Sequence, residues 1–385
     1  MLKEDVDSLL SSMIESFEGV SDLFFVVGKP PQVEAYGKLK PYPDDSPAAF
    51  LTPNKVEEMS VFLMGGVERL QRDFQNLGAC DCSYGIEGFA RFRVNIFRQN
   101  GNHAIVMRKL NSVIPTLDKL GLQPVFREMI KEKTGIIFVT GATGSGKTTT
   151  LAAMLNELNQ QNEIHIVTLE DPVEFMHPHA RATFSQRELG RDFPEFSAGL
   201  RSALRQAPKV ILVGEIRDRD TMEIALTAAE TGHVVYSTLH TINAGQTVNR
   251  ILGFFGKDEE QLVRERLADT LRYVVSQRLI PKVGGGRLMI NEIMGSNLRT
   301  RETLLLGEGE NRSYAEIIEA SMPYGWHTFD QALVEAYQKE LITEESAMIF
   351  STSKSKVLHG IDRVKKTDGR TSEGGAPEIK LKLSA

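Results

Sequence analysis

The chain of 385 residues carries only two cysteines, Cys80 and Cys82, one residue apart in "ACDCS". Two thiols are too few for a structural zinc site, and at that spacing they are too close for an ordinary disulfide. Long apolar runs are missing as well: nothing approaches the roughly 20 residues that span a bilayer. The opening "MLKEDVDSLL" has neither the basic region nor the small-residue cleavage site of a secretory signal. Cytoplasmic residence is the expectation, with any attachment to the inner membrane made through partner proteins. There is no excess of positive charge: 45 Lys and Arg stand against 51 Asp and Glu, a formal net charge of −6. That balance argues against a general nucleic-acid binder. No internal repeat is visible. What is present is the composition of a globular protein, 41% hydrophobic and 25% charged, with length for two domains.

Over residues 3–18, Val6, Leu9, Leu10, Met13, Ile14 and Phe17 share one helical face. "SDLFFVVGKPPQVEAYGKLKPY" then reads as strand, turn and strand, and a helix is expected from Asn54 to about Leu77. In "CSYGIEGFARFRVNIFRQNGNHAIVMRKL" two alternating arms flank "QNGN", a hairpin signal. These elements make an α+β domain over residues 1–110, and the Pro- and Gly-bearing stretch 111–122 reads as a linker. Over 123–310 the strands "GIIFVT", "IHIVTLE", "KVILVGEI" and "HVVYSTL" alternate with helical segments, the pattern of an α/β parallel sheet covered on both faces. Residues 311–360 read as helical, and the polar, glycine-rich 361–385 as a disordered tail.

Chemistry concentrates in "GATGSGKTTT". Gly141, Ala142, Thr143, Gly144, Ser145, Gly146, Lys147 and Thr148 fit GxxxxGK[ST], and Thr149 follows in the same turn. Such a loop aims backbone N–H groups at nucleotide phosphates, so ATP or GTP is the expected ligand. Lys147 would reach the β- and γ-phosphates and the Thr148 hydroxyl would ligate Mg²⁺. "KVILVGEIRD" supplies a Walker B strand, but ends in Gly214–Glu215 where a generic P-loop enzyme carries Asp–Glu. Glu215 can still polarise water, and another acidic cluster must make up for the missing carboxylate. "VTLEDPVEF" offers Glu170 and Asp171 at a strand end, either able to hold a metal-bound water or act as a base. Glu174, past Pro172, reads as a solvated or structural acid. His233 and His240 bracket the strand in "TGHVVYSTLHT" and look like sensors of the γ-phosphate.

These four boxes, in this order, resemble the Walker A, Asp box, Walker B and His box of the secretion ATPases. "SDLFFVVGKPP", "RFRVNIFRQNG", "FSQRELGRD" and "LRSALRQAPKVILVGEIRD" are similar to the type IV pilus retraction branch, the PilT/PilU family, and the likeness runs from about residue 1 to about residue 350. The resemblance implies a cytoplasmic homohexamer in which a PAS-like N-terminal domain and a RecA-like domain close around ATP and Mg²⁺. It implies work on pili through an inner-membrane platform protein, and it makes Gly214–Glu215 usual. It also gives a meaning to Arg93 and Arg108 as phosphate-contacting arginines; taken alone, both would read as solvated charges. Arg91 and Arg98 read as surface or interface residues. The ending departs from PilT: no stretch resembles its "AIRNLIREGK", and "GWHTFDQAL" is more similar to PilU, which would make this an accessory motor working beside a paralogous retraction ATPase. Pilus extension or type II secretion ATPases are the nearer rivals, but they carry a tetracysteine insertion absent here. A RecA-like nucleic-acid translocase and a scaffold without turnover are the more distant ones.

Overall fold

The computed structural model describes residues 2–43, 49–110, 113–310 and 312–367. Two compact units divide the chain: Met1–Gly121 with Thr148–Ser237, and Leu122–Lys147 with Thr238–Ala385. In chain order the strands are β1 (Val20–Val26), β2 (Gln32–Ala35), β3 (Lys38–Pro41), β4 (Ala79–Ile86), β5 (Ala90–Gln99), β6 (Asn102–Leu110) and β7 (Gly135–Thr140). They continue with β8 (His165–Glu170), β9 (Thr183–Glu188), β10 (Val210–Val213), β11 (Val234–Leu239), β12 (Leu271–Pro281) and β13 (Arg287–Gly295).

The first unit opens with an antiparallel sheet in the order β3-β2-β1-β6-β5-β4. Its first helix, Lys3–Glu15, buries Val6, Leu10, Met13 and Ile14, the stripe its sequence periodicity marks. Along β5, Phe92, Val94 and Ile96 are fully buried while Arg91 and Arg93 alternate to the other face. The β5–β6 hairpin closes on Asn100 and Gly101, at φ +49° and +78°. Two left-handed residues are what a tight hairpin turn demands, and Asn-Gly supplies them with least strain. The single helix expected over 54–77 is two, Pro53–Met64 and Glu68–Leu77. The break falls at Gly65 and Gly66, at φ +58° and +73°, where the left-handed backbone ends the first helix.

The same unit continues with four parallel strands in the order β11-β10-β8-β9. Every residue of β10 is buried, as a strand covered on both faces requires. β9, "TFSQRE", was not legible as a strand, because its polar composition carries no apolar run.

In the second unit β12 pairs in parallel with β7 and antiparallel with β13, the hairpin turning on Gly284, Gly285 and Gly286. The C-terminal helices Phe329–Gln338, Glu344–Phe350 and Lys354–Thr367 pack around Phe329, Leu333, Val357 and Ile361. The last helix runs past residue 360 because Ile361 and Val364 are buried; the rest of the expected tail, 368–385, lies outside the described residues. Among the described residues no helix is long and apolar enough to cross a membrane.

Candidate active site

The glycine-rich loop follows β7, a strand buried at all six positions. Gly141 stands at φ +142°, and a Cβ there would lie 2.5 Å from the Gln277 carbonyl oxygen and 2.6 Å from Ser145 Oγ. Only glycine lets the loop lie this close to β12. Gly144 and Gly146, at φ +78° and +92°, meet open space, so their requirement is conformational. The Lys147 ammonium donates to the Gly141 and Ala142 carbonyls at 2.8 and 3.1 Å, which fixes the cation over the loop. Ser145 Oγ is buried and has no hydrogen-bond partner. A buried hydroxyl costs free energy unless something bonds it. A tethered cation, glycine-forced N–H groups and an orphaned hydroxyl together fit a phosphate group. The helix Lys147–Gln161 begins at the lysine and carries Thr148 and Thr149 in its first turn.

In the first unit, Glu170 ends β8, Asp171 follows it, and Glu215 follows β10. The Glu170 carboxylate is 7% exposed and accepts hydrogen bonds from the Thr168 hydroxyl at 2.6 Å and the Gln186 amide at 3.3 Å. Burial outweighs both and pushes its pKa up to about 7. Asp171 is also raised by burial, against the pull of Arg217, Arg93 and Arg69. Glu215 binds Arg217 through Nη2 at 2.7 Å and Nε at 2.8 Å, and this bond holds the guanidinium above its ordinary value. Gly214 donates its N–H to the Leu169 carbonyl at 2.8 Å. A Cβ at 214 would stand 3.1 Å from that oxygen and 3.4 Å from Glu170 Cα. A side chain at 214 would therefore require the Leu169 carbonyl to give by a few tenths of an ångström, and β8 supplies Glu170 beside it.

The histidines separate. His233 precedes β11 and sets Nδ1 3.0 Å from the Ala228 carbonyl, at the end of the helix Arg219–Glu230. Glu170, Asp171 and Glu215 all follow the C-terminal ends of strands parallel to β11, so the structure does not bring His233 to them. It caps a helix instead. His240 follows Leu239, at the C-terminal end of β11.

Arg93 and Arg108 stand opposite each other in the β5–β6 pairing. Arg108 Nε also meets Asp22 Oδ1 at 2.9 Å across β1. Arg98 lies over the Phe74 ring at 5.2 Å. Arg91 is bonded within its own unit, to Glu188 and to the Val173 carbonyl. Sequence reasoning missed Arg217, Thr168 and Gln186 as partners of the carboxylates. Thr168 was within reach, since residue i−2 on a strand shares the face of residue i. Among the described residues no group of three or more His, Cys, Asp or Glu gathers as a metal cage. A magnesium ion held by one hydroxyl, one carboxylate and the phosphates needs none.

Residues 85–306 match the family described as type II/IV secretion system protein. The type IV pilus retraction ATPase PilT of Pseudomonas aeruginosa is 40% identical over 344 residues, 89% of this chain and 97% of that protein. The chain belongs to this family. The type IV pilus ATPase PilU of the same organism is 36% identical over 91% of this chain and 89% of its own length. A crystal structure of the pilus retraction motor PilT with bound ADP superposes with a TM-score of 0.82 at 37% identity, covering 93% of this chain and 100% of that one. The RecA-like α/β architecture with its N-terminal α+β domain and helical C-terminal region is thus that of a family whose members include a solved ADP-bound motor.

Proposed function

We propose that this protein is an ATP-hydrolysing motor that powers retraction of type IV pili. What supports the reading most is the likeness to the retraction ATPase PilT, which extends over 97% of that protein. The loop of residues 141–149 binds the phosphates, with Lys147 neutralising their charge and Ser145 finding there the partner it otherwise lacks. Thr148 and Asp171 would hold Mg²⁺, which would supply charge neutralisation at the phosphates. Glu215 polarises the attacking water, with Glu170 the second carboxylate able to do so, and His240 senses the γ-phosphate. Arg93 and Arg108 act on charge that develops in the transition state, a task suited to a planar guanidinium that never loses its proton. The working assembly is a homohexamer on an inner-membrane platform protein, without nucleic acid.

The reading is tested by measuring ATP hydrolysis by the purified protein and its Lys147→Ala variant. Turnover in the variant should fall below about a tenth of the parent, since no other cation of the loop can replace it. Equal turnover in both would remove the loop from the chemistry. A second reading, an accessory motor beside a paralogous retraction ATPase, draws on the match to PilU at 36% identity.

A further inference from the structure

We propose that Arg91 and Glu188 are positioning residues that clamp the loop carrying Glu170 and Asp171 from the N-terminal sheet. The inference rests on the ATPase reading and assigns a role to an arginine that reading leaves aside. Both backbone groups of Val173 are engaged: its N–H donates to Glu188 Oε2 at 3.2 Å, and its carbonyl accepts from Arg91 Nε at 2.9 Å. Arg91 Nη2 donates to the same Glu188 oxygen at 2.7 Å, closing a ring of three residues. Ser83 of β4 completes it, donating to Glu188 Oε1 at 2.6 Å and accepting from Arg91 at 3.1 Å.

The ring is sheltered. The Arg91 and Glu188 side chains are 20% and 9% exposed, a setting in which a charge-assisted hydrogen bond is stronger than in water. Glu188 is itself fixed by Asp192, whose Oδ2 accepts its N–H at 2.7 Å. In the parallel β8–β9 pairing Glu188 stands opposite Glu170. One side chain thus anchors the strand end beside Glu170 and the chain two residues past Asp171. Arg91 and Ser83 come from β5 and β4, so the position of the N-terminal sheet is tied directly to the catalytic loop. Arg93, two residues along the same strand, belongs to the same rigid row. The clamp therefore sets how the carboxylates and this arginine approach their charges together.

The test compares Arg91→Ala, Glu188→Gln and Arg91→Lys with the parent in the full chain. Maximal ATP turnover should fall by about 10-fold to 100-fold in Arg91→Ala, the cost of a misplaced catalytic group, while affinity for a fluorescent ATP analogue stays within about 3-fold. Arg91→Lys should lie between, since it keeps the charge facing Glu188 and loses the Nε donor to Val173. The double variant with Glu188→Gln should be no slower than Arg91→Ala alone, because the two residues act as one unit. Hydrogen exchange over residues 171–176 should accelerate while that of β10 does not, which general destabilisation would not produce. Turnover within about 2-fold of the parent in Arg91→Ala and Glu188→Gln overturns the clamp, as do additive losses in the double variant. A parent without ATPase activity would instead refute the reading beneath it.

Discussion

Gly214 packs against Glu170, with the point a Cβ would occupy only 3.4 Å from the Glu170 Cα and 3.1 Å from the Leu169 carbonyl. A side chain at this position would need the Leu169 carbonyl to give by a few tenths of an ångström. Gly214→Asp, which would restore the generic pair, should destabilise the protein by about 1–3 kcal/mol, the usual cost of overpacking, and lower ATP turnover. Thermal unfolding and hydrolysis rates check this; a variant as stable and active as the parent would show that β8 yields easily.

Glu170 predicts a pH dependence with a definite sign. Its pKa rises from an ordinary 4.5 to about 7 on burial, so between those values the folded chain holds a proton that the unfolded chain has lost. Stability from this group is present below pH 4.5 and declines as the pH rises to about 7. The difference of about 2.5 pH units corresponds to at most roughly 3–4 kcal/mol, an order-of-magnitude ceiling. Glu170→Gln should accordingly gain stability relative to the parent as the pH rises from 5 to 8. A stability difference flat across that window would mean that Glu170 is solvated enough to titrate normally.

Legibility followed apolar pattern and motif spacing. The β7 and β10 strands and the loop after β7 announce themselves in continuous buried runs and fixed glycine positions. β9 does not, because "TFSQRE" earns its place through pairing with β8 and through polar side chains that meet Glu170 and Val173. The same reason hid Gln186 and Glu188: their partners are distant in sequence and appear only once the strands are paired. His233 and His240 look equivalent in sequence as the two ends of one strand, whereas ligands gather at the C-terminal end in this architecture, where His240 stands and His233 does not.

Arg93 and Arg108 should separate by stability as well as by turnover. Arg108 meets Asp22, which is only 7% exposed, so Arg108→Ala leaves a buried carboxylate without its cation. Both arginine variants are expected to lose turnover by an effect on the order of 10³ if they act on transition-state charge. Only Arg108→Ala should also lower the melting temperature, and Asp22→Asn in that background should recover stability without recovering turnover. Full activity in Arg93→Ala and Arg108→Ala would return both to ordinary surface charge.

The final prediction separates a primary motor from an accessory one. "GWHTFDQAL" is the stretch on which the resemblance to PilU rather than PilT rests, and the structure turns much of it inward. Trp326 lies so close to Gly295 that a Cβ there would clash with its ring at 2.1 Å, and His327 Nε2 meets Asn291 at 2.6 Å. Thr328 caps the next helix, Phe329 is buried against Arg278, and Asp330 accepts the N–H groups of Thr352 and Ser353 at 2.7 and 2.9 Å. These residues build the C-terminal region rather than present a surface to a partner. A motor does work only if its moving surface engages the platform differently in different nucleotide states, and buried residues alter that surface little. Expression of this protein in cells lacking every other retraction ATPase should therefore restore pilus retraction and twitching. Retraction that returns only beside a catalytically inactive PilT would assign it the accessory role and place the difference in the exposed faces of the C-terminal helices.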